Sequence, residues 1–172
     1  MNLRIRHALE RDATLLSDLA RKTYIDTFGP TNRAGDIEMY ASHTYSPAIQ
    51  LGELRDERKL YLIAEVDDVA AGFAMLGSSE SPSCAALEKP IELFRFYVDH
   101  AWHGKGIAQA LMKACEDETR ALGGATLWLG VWENNPRAIR FYEKIGFRDI
   151  GSQPYLLGED MQTDRVMVRS LR

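Results

Sequence analysis

Two short stretches of this chain hold residue types that can do chemistry. The first is Val98-Asp99-His100-Ala101-Trp102-His103-Gly104-Lys105-Gly106-Ile107-Ala108. It follows a run of strand-forming residues and opens a long amphipathic segment, so it reads as a strand-to-helix turn. A glycine-rich turn at that junction directs free backbone N–H groups, and the positive end of the helix dipole, at whatever lies in front of the helix. That arrangement suits a phosphate or diphosphate. Gly106 and Ala108 carry little or no side chain and keep the first helical turn open, while His103 and Lys105 can add charge. The second stretch is Val131-Trp132-Glu133-Asn134-Asn135-Pro136, which leads into a helix carrying Tyr142. Asn135, Ala138 and Tyr142 stand at i, i+3 and i+7, one stripe of that helix. An amide, a small residue and a phenol on one line can bind a thin polar chain. Together the two stretches suggest a nucleotide-bearing cofactor and a proton donor.

Each stretch also has a plainer reading. A Gly-x-Gly before a helix is equally an ordinary turn, and Tyr142 alone is equally a core tyrosine. Other phosphate-binding patterns are absent. No Gly-Lys-Ser/Thr follows a four-residue spacer, which excludes a P-loop. The third glycine of a dinucleotide fingerprint is missing, which argues against a Rossmann site. His7, His43, His100 and His103 do not show metal-ligand spacing, so no metal is expected.

The elements that must position these residues follow from periodicity. Leu3 to Arg6 alternates and reads as a strand. Asp12 is placed to cap a helix whose Leu15, Leu16, Leu19, Ala20 and Thr23 recur at helical spacing, and which should stop near Phe28-Gly29-Pro30. Asp36 to His43 and Pro47 to Arg58 read as shorter helices. Leu60 to Val66, turned by Asp67-Asp68 into Val69 to Leu76, predicts an antiparallel hairpin. Gly77 to Pro90 is rich in serine and reads as a loop, and Ile91 to Val98 is an aromatic-rich strand. The helix after the glycine turn carries Ile107, Ala110, Leu111, Ala114, Cys115, Glu118, Ala121 and Leu122 on one side. Lys113, Glu116, Asp117 and Arg120 are expected in solvent, and Gly123-Gly124 ends the helix. Thr126 to Trp132 reads as a central strand, Pro136 to Lys144 as a helix stopped by Gly146, and Phe147–Tyr155 and Arg165–Arg169 as closing strands. The β-α-β crossover makes Ile91–Val98 and Thr126–Trp132 parallel neighbours. The fold class is α/β, a mixed sheet with helices on both faces, in a single domain over residues 1–172.

Length suits one domain with a real core: the chain has 172 residues. A formal net charge of -4 with scattered Lys and Arg excludes the basic face that nucleic-acid binding needs. The N-terminus is charged with no apolar signal core, and no run is long enough to cross a membrane, so a cytoplasmic protein without membrane partners is expected. Cys84 and Cys115 lie in unlike contexts, which argues against a disulfide framework.

With these motifs in place, the chain resembles the GCN5-related N-acetyltransferase (GNAT) family over nearly its whole length. That family's acetyl-coenzyme A turn reads Gln/Arg-x-x-Gly-x-Gly/Ala after a strand; here His103, Gly106 and Ala108 match, with His103 departing from Gln/Arg. The resemblance implies a mostly antiparallel seven-stranded sheet in which parallel strands 4 and 5 splay apart. It implies acetyl-coenzyme A as cosubstrate, held by Phe96, Tyr97, Val98, His103, Gly104, Lys105, Gly106, Ile107, Ala108, Asn135, Ala138, Tyr142 and Lys144. It also implies that Tyr142 gives a proton to the departing coenzyme A thiolate. Within the family, the chain is most similar to the PaiA-type polyamine N-acetyltransferases. Thr23-Tyr24-Ile25-Asp26-Thr27-Phe28, Trp128-Leu129-Gly130-Val131-Trp132-Glu133 and Gly158-Glu159-Asp160-Met161-Gln162-Thr163-Asp164 carry that similarity. It implies spermidine or spermine as acceptor.

The chemistry then sets its own demands. A primary amine, with a pKa near ~10.4, arrives mostly as ammonium, so a base must take its proton. Glu92 is the candidate, acting through water from the strand Ile91–Val98, where alternation sets Glu92 and Phe94 on one face. A strand-surface carboxylate is the plain alternative. A polyamine needs carboxylates and aromatic faces, and Tyr24, Asp26, Phe28, Glu92, Glu159 and Asp160 are the candidates, with Glu38, Asp164 and Tyr40 able to contribute. Two other outcomes stay open: a GNAT enzyme acting on another amine (an amino acid, an aminoglycoside or a protein N-terminus), and a non-catalytic acetyl-coenzyme A sensor. A homodimer is common in such folds, but no segment fixes one.

Overall fold

The computed structural model describes residues 1–157 and 159–172. Gly158, in the last of the three polyamine-enzyme stretches, lies outside the described residues. In chain order the elements are β1 (Leu3–His7), α1 (Ala13–Phe28), α2 (Ala34–Thr44), α3 (Pro47–Leu54), β2 (Lys59–Val66), β3 (Val69–Ser78), β4 (Pro90–Val98), α4 (Ile107–Ala121), β5 (Thr126–Trp132), α5 (Pro136–Lys144), β6 (Arg148–Leu157) and β7 (Asp160–Ser170). The strands form one seven-stranded sheet in the order β1-β2-β3-β4-β5-β7-β6. β4 and β5 are its parallel pair, joined at Pro90↔Thr126, Ile91↔Leu127 and Glu92↔Trp128. Tertiary packing groups the chain into two compact units, Met1–Met75 with Arg95–Ala114, and Leu76–Phe94 with Cys115–Arg172.

In the first unit, β1 pairs antiparallel with β2 from Leu3↔Val66 to His7↔Leu62. Asp67 and Asp68 reverse the chain into β3 with φ of +48° and +64°. This left-handed pair matches the twist of a two-residue hairpin, and Asp is among the residues that tolerate it. Leu16, Ala20, Ile63, Phe73 and Leu111 are fully buried. A polar cluster ties α3 to β2 and β4: Arg95 donates to Glu53 at 2.6 and 3.0 Å and to the Tyr61 hydroxyl at 2.6 Å, and lies 5.0 Å from the Tyr45 ring centre. Burial raises the Tyr61 and Tyr45 hydroxyls far above the usual phenol range, so both stay neutral.

Two local expectations are corrected here. Asp12 precedes α1, but its carboxylate does not cap it. Arg6 takes both oxygens, at 2.8 and 2.9 Å, and the Leu9 N–H donates to one of them. α3 ends at Leu54 rather than Arg58. Asp56 stops it by accepting from the Arg58 backbone at 3.1 Å and from the Arg58 guanidinium at 2.9 Å, a turn that competes with the helix.

In the second unit, β5 pairs antiparallel with β7 from Thr126↔Ser170 to Trp132↔Asp164, and β7 pairs with β6. One face of this ladder packs Trp128, Val166 and Val168 against Leu87 and Ile150. β7 starts at Asp160, so Asp160 to Asp164 of the acidic stretch expected before the last strand belong to the strand itself, while Glu159 stays in the turn. Glu116, expected in solvent, is 5% exposed. Arg169 of β7 meets it at 2.9 Å and also donates to the Ile145 carbonyl beyond the end of α5. Ala121 and Leu122, expected in the apolar stripe, are exposed.

Candidate functional site

In the first unit, β4 runs into the glycine turn and α4. Gly72 of β3 makes the approach to β4 possible: a Cβ there would lie 2.7 Å from the Tyr97 carbonyl oxygen and 3.2 Å from the Val98 Cα. Phe73 stacks on Tyr97 with ring centres 5.6 Å apart. Beyond Val98, Asp99 accepts from the Ala101 N–H at 3.0 Å and from Lys22 of α1 at 2.9 Å, which anchors the start of the turn. Gly104 and Gly106 take φ of +76° and +80°, conformations that any other residue adopts with strain. A Cβ at either would meet nothing within 4 Å, so space lies open around both. The first backbone bond into α4 runs from the Ala110 N–H to the Gly106 carbonyl, at 3.1 Å. The amides before Ala110 therefore have no partner within the helix, which is the arrangement that receives an anion.

The polar side chains of the turn are partly engaged already. The His103 ring lies 2.8 Å from the Val98 carbonyl through Nε2, which fixes the imidazole to the end of β4. Lys105 rests over the Trp102 ring, 4.5 Å from its centre. Ile107 is buried and Ala108 half-buried, while Phe96, Tyr97 and Val98 are half-buried.

Among the acceptor candidates of this unit, Tyr24 is 4% exposed. Its ring stacks with Tyr40 at 4.7 Å and meets Phe28 at 4.7 Å and Tyr45 at 5.5 Å. Burial raises its hydroxyl well above the ordinary phenol value. Asp26 is exposed and faces Lys22, which it shares with Asp99.

In the second unit, α5 starts at Pro136 with Asn135 as its cap. The Asn135 side-chain oxygen accepts from the Ala138 N–H at 3.2 Å, so its amide NH2 is the end left to reach outward. Ala138 is half-buried and Lys144 exposed. Tyr142 is 7% exposed, with ring centres 5.4 Å from Phe141 and 5.6 Å from Phe147. Burial, with the neighbouring Cys115, raises its phenol above the ordinary value, so it is protonated at any physiological pH. It can donate a hydrogen bond and is a weak acid.

Glu92 is half-buried on β4, directly beside Trp128. The Trp128 indole N–H donates to the Ser79 Oγ at 3.1 Å, and the Ser79 hydroxyl donates to the Glu80 carbonyl at 3.0 Å. Burial pushes the Glu92 carboxyl up to about 7, against a smaller lowering from the nearby Ser79 hydroxyl. A carboxyl poised there exchanges a proton with either partner near neutrality. Glu159 and Asp160 are exposed, and Asp160 accepts from Gln162 at 2.9 Å. A second perturbed carboxyl is Asp164 on β7, pushed up to about 6 by burial alone. Sequence reasoning named it only among six acids. The signal that singles it out is Gly130, an isolated glycine in an apolar strand, which marks a close approach by a neighbouring group. Among the described residues no cluster of His, Cys, Asp or Glu is arranged to hold a metal ion, and no helix is long and apolar enough to cross a membrane.

Comparison with known proteins bears on this arrangement. Residues 17–147 match the family model described as the acetyltransferase (GNAT) family. An uncharacterized N-acetyltransferase of Mycobacterium bovis is 32% identical over 93% of this chain and 98% of its own length. A spermine/spermidine N(1)-acetyltransferase of Bacillus subtilis is 26% identical over 81% of this chain and 93% of its own. The crystal structure of the PaiA N-acetyltransferase of Thermoplasma acidophilum in complex with coenzyme A superposes with a TM-score of 0.82, covering 99% of both chains at 24% identity. That likeness shows the fold.

Proposed function

The chain belongs to the acetyltransferase (GNAT) family, and from that premise we propose that it moves the acetyl group of acetyl-coenzyme A to a primary amine, a polyamine such as spermidine or spermine. The observation that carries the first half is the glycine turn. Gly104 and Gly106 stand at positive φ with no atom where a Cβ would point, in front of the unpaired amides of α4. This cradle fits a diphosphate, and Gly104, Lys105, Gly106, Ile107 and Ala108 would hold it. The backbone of Phe96, Tyr97 and Val98 is assigned to the pantetheine arm, as a peptide-like strand against a strand. On α5, Asn135 offers its NH2, and Ala138 and Lys144 belong to the same helix. When bound, acetyl-coenzyme A supplies an activated carbonyl with a thiolate leaving group.

This chain's own residues do the proton work. Glu92, ionised in about half of the molecules at neutral pH, accepts a proton from the incoming ammonium, directly or through water. The freed amine nitrogen bonds the carbonyl carbon as the carbon–sulfur bond breaks, and the second proton the nitrogen sheds passes through water to the sulfur, so the products are an amide and a thiol. Tyr142, kept neutral by burial, donates a hydrogen bond to the departing sulfur, which lowers the barrier without carrying it alone. The acceptor assignment is supported by the Bacillus relative's activity and by two half-buried carboxyls, Glu92 and Asp164, which suit a cation with several nitrogens.

A thiol-release assay with acetyl-coenzyme A and a panel of spermidine, spermine, putrescine, amino acids and an N-terminal peptide tests this reading. Turnover highest with spermidine or spermine is expected. Equal rates across the panel would remove the polyamine assignment. Coenzyme A binding without turnover of any amine would make the protein a sensor.

A further inference from the structure

Across β5, β7 and β6 one row of side chains is Trp132, Asp164 and Gln153, fixed by the pairs Trp132↔Asp164 and Gln153↔Asp164. Directly paired residues project from the same face with Cβ atoms about 5 Å apart. Gly130 lies on that face two residues before Trp132. It is exposed, in a strand whose Leu127, Trp128, Leu129 and Val131 are all buried. A Cβ on Gly130 would come within 3.0 Å of Asp164 Oδ2 and 3.2 Å of Gln153 Nε2. The polar ends of both residues therefore lean over a notch that only glycine leaves open.

Among the described residues neither the Asp164 nor the Gln153 side chain makes a hydrogen bond or ion pair. The nearest cation in sequence, Arg165, is committed to Asp149 through two bonds of 2.8 Å. The Asp164 carboxyl is half-buried, keeps access to solvent and has no counter-charge beside it, so a cation arriving from solvent can pair with it. An ammonium group suits it: it has three donors and no acceptor, the Asp164 carboxylate accepts from it, and the face of Trp132 adds a cation–π contact.

Building on the amine-acetyltransferase reading, we propose that Asp164, Gln153 and Trp132 around the Gly130 notch form a subsite for the far ammonium group of a polyamine acceptor. Asp164 then determines specificity. Glu92 and Asp164 lie on one face of the sheet, since Glu92 pairs with Trp128 and Asp164 with Trp132. Two strand spacings across and four residues along put their Cα atoms on the order of 16 Å apart. Side chains reaching inward shorten that gap to one a flexible chain with nitrogens at both ends can bridge, and a monoamine cannot.

The test is calorimetric titration of spermidine and of butylamine into the full chain saturated with coenzyme A, which cannot react. Wild type, Asp164→Asn and Gly130→Ala are compared after melting curves establish that each is folded. Both variants are expected to weaken spermidine binding at least tenfold and to change butylamine binding less than twofold. Spermidine affinity within twofold of wild type in Asp164→Asn, or no spermidine uptake by the wild type, would overturn the subsite. Because the readout is binding, its failure is distinct from failure of the transferase reading. Turnover of other amines without spermidine uptake removes the subsite alone. Spermidine binding lost in Asp164→Asn without thiol release keeps the subsite and removes the transferase.

Discussion

Replacing Glu92 by Gln should make the protein far less active and more stable at once. Burial holds this carboxyl protonated from its ordinary 4.5 up to about 7. Between those values the unfolded chain has already lost the proton that the folded chain keeps, so stability falls as pH rises and the whole penalty is present above pH 7. At about 1.4 kcal/mol per pH unit, the interval sets a ceiling of about 3 kcal/mol. Glu92 retains some exposure, and solvent screening brings the expected gain from Gln to about 1–2 kcal/mol. Gln keeps the shape of the side chain and carries no charge to desolvate. For a chain of this length that is a rise in melting temperature of roughly 3–6 °C. Melting curves at pH 5, 6, 7 and 8 read it: the two proteins should nearly coincide at pH 5 and diverge to the full difference at pH 8. In parallel, kcat/KM of the wild type should climb with pH through about 7, and Glu92→Gln should lose on the order of 10²-fold or more and the inflection with it. Equal melting temperatures at every pH, or an unchanged pH profile, would refute the placement of this carboxyl and its role as base.

Other substitutions probe the supports of the site. Arg95→Met strands the Glu53 carboxylate that Arg95 holds at 2.6 and 3.0 Å, and should cost about 3–5 kcal/mol in denaturant unfolding. Adding Glu53→Leu should recover much of that loss. Gly72→Ala drives a methyl into the Tyr97 carbonyl and the Val98 Cα, which belong to backbone and cannot step aside. A loss of about 1–3 kcal/mol is expected by the same measurement. Tyr142→Phe keeps the ring among Phe141, Phe147 and Cys115 and removes only the hydroxyl. Steady-state kinetics should show kcat reduced strongly but measurable, with KM for the amine little changed; wild-type kcat would exclude Tyr142 from the reaction.

Much of the architecture was legible because its signals are local. Phe28-Gly29-Pro30 stops α1 where expected, Pro136 and Gly146 bracket α5, and the β-α-β order alone forces β4 and β5 to be parallel. What escaped depends on partners far away in sequence. Glu116 looks like a solvent residue by helical spacing, and only the arrival of Arg169 from β7 makes its burial tolerable. Asp12 has the residue type of a helix cap, but Arg6 and the Leu9 amide compete successfully for its oxygens. The candidate site divides the same way. The glycine turn is a local pattern and can be read directly. That Glu92 sits beside Trp128 and Ser79, and that Asp164 leans over Gly130, follows from strand register, which a single sequence leaves unspecified.

The most direct test of the central claim, that the turn before α4 grips the diphosphate of acetyl-coenzyme A, is isothermal titration of acetyl-coenzyme A into the wild type and Gly106→Val. The account predicts saturable binding at one site per chain in the wild type. A valine at φ +80° should strain the backbone and fill the open space before the amides, weakening that binding at least tenfold while the melting curve stays cooperative. No uptake by the wild type, or equal affinity in the two proteins, would contradict it.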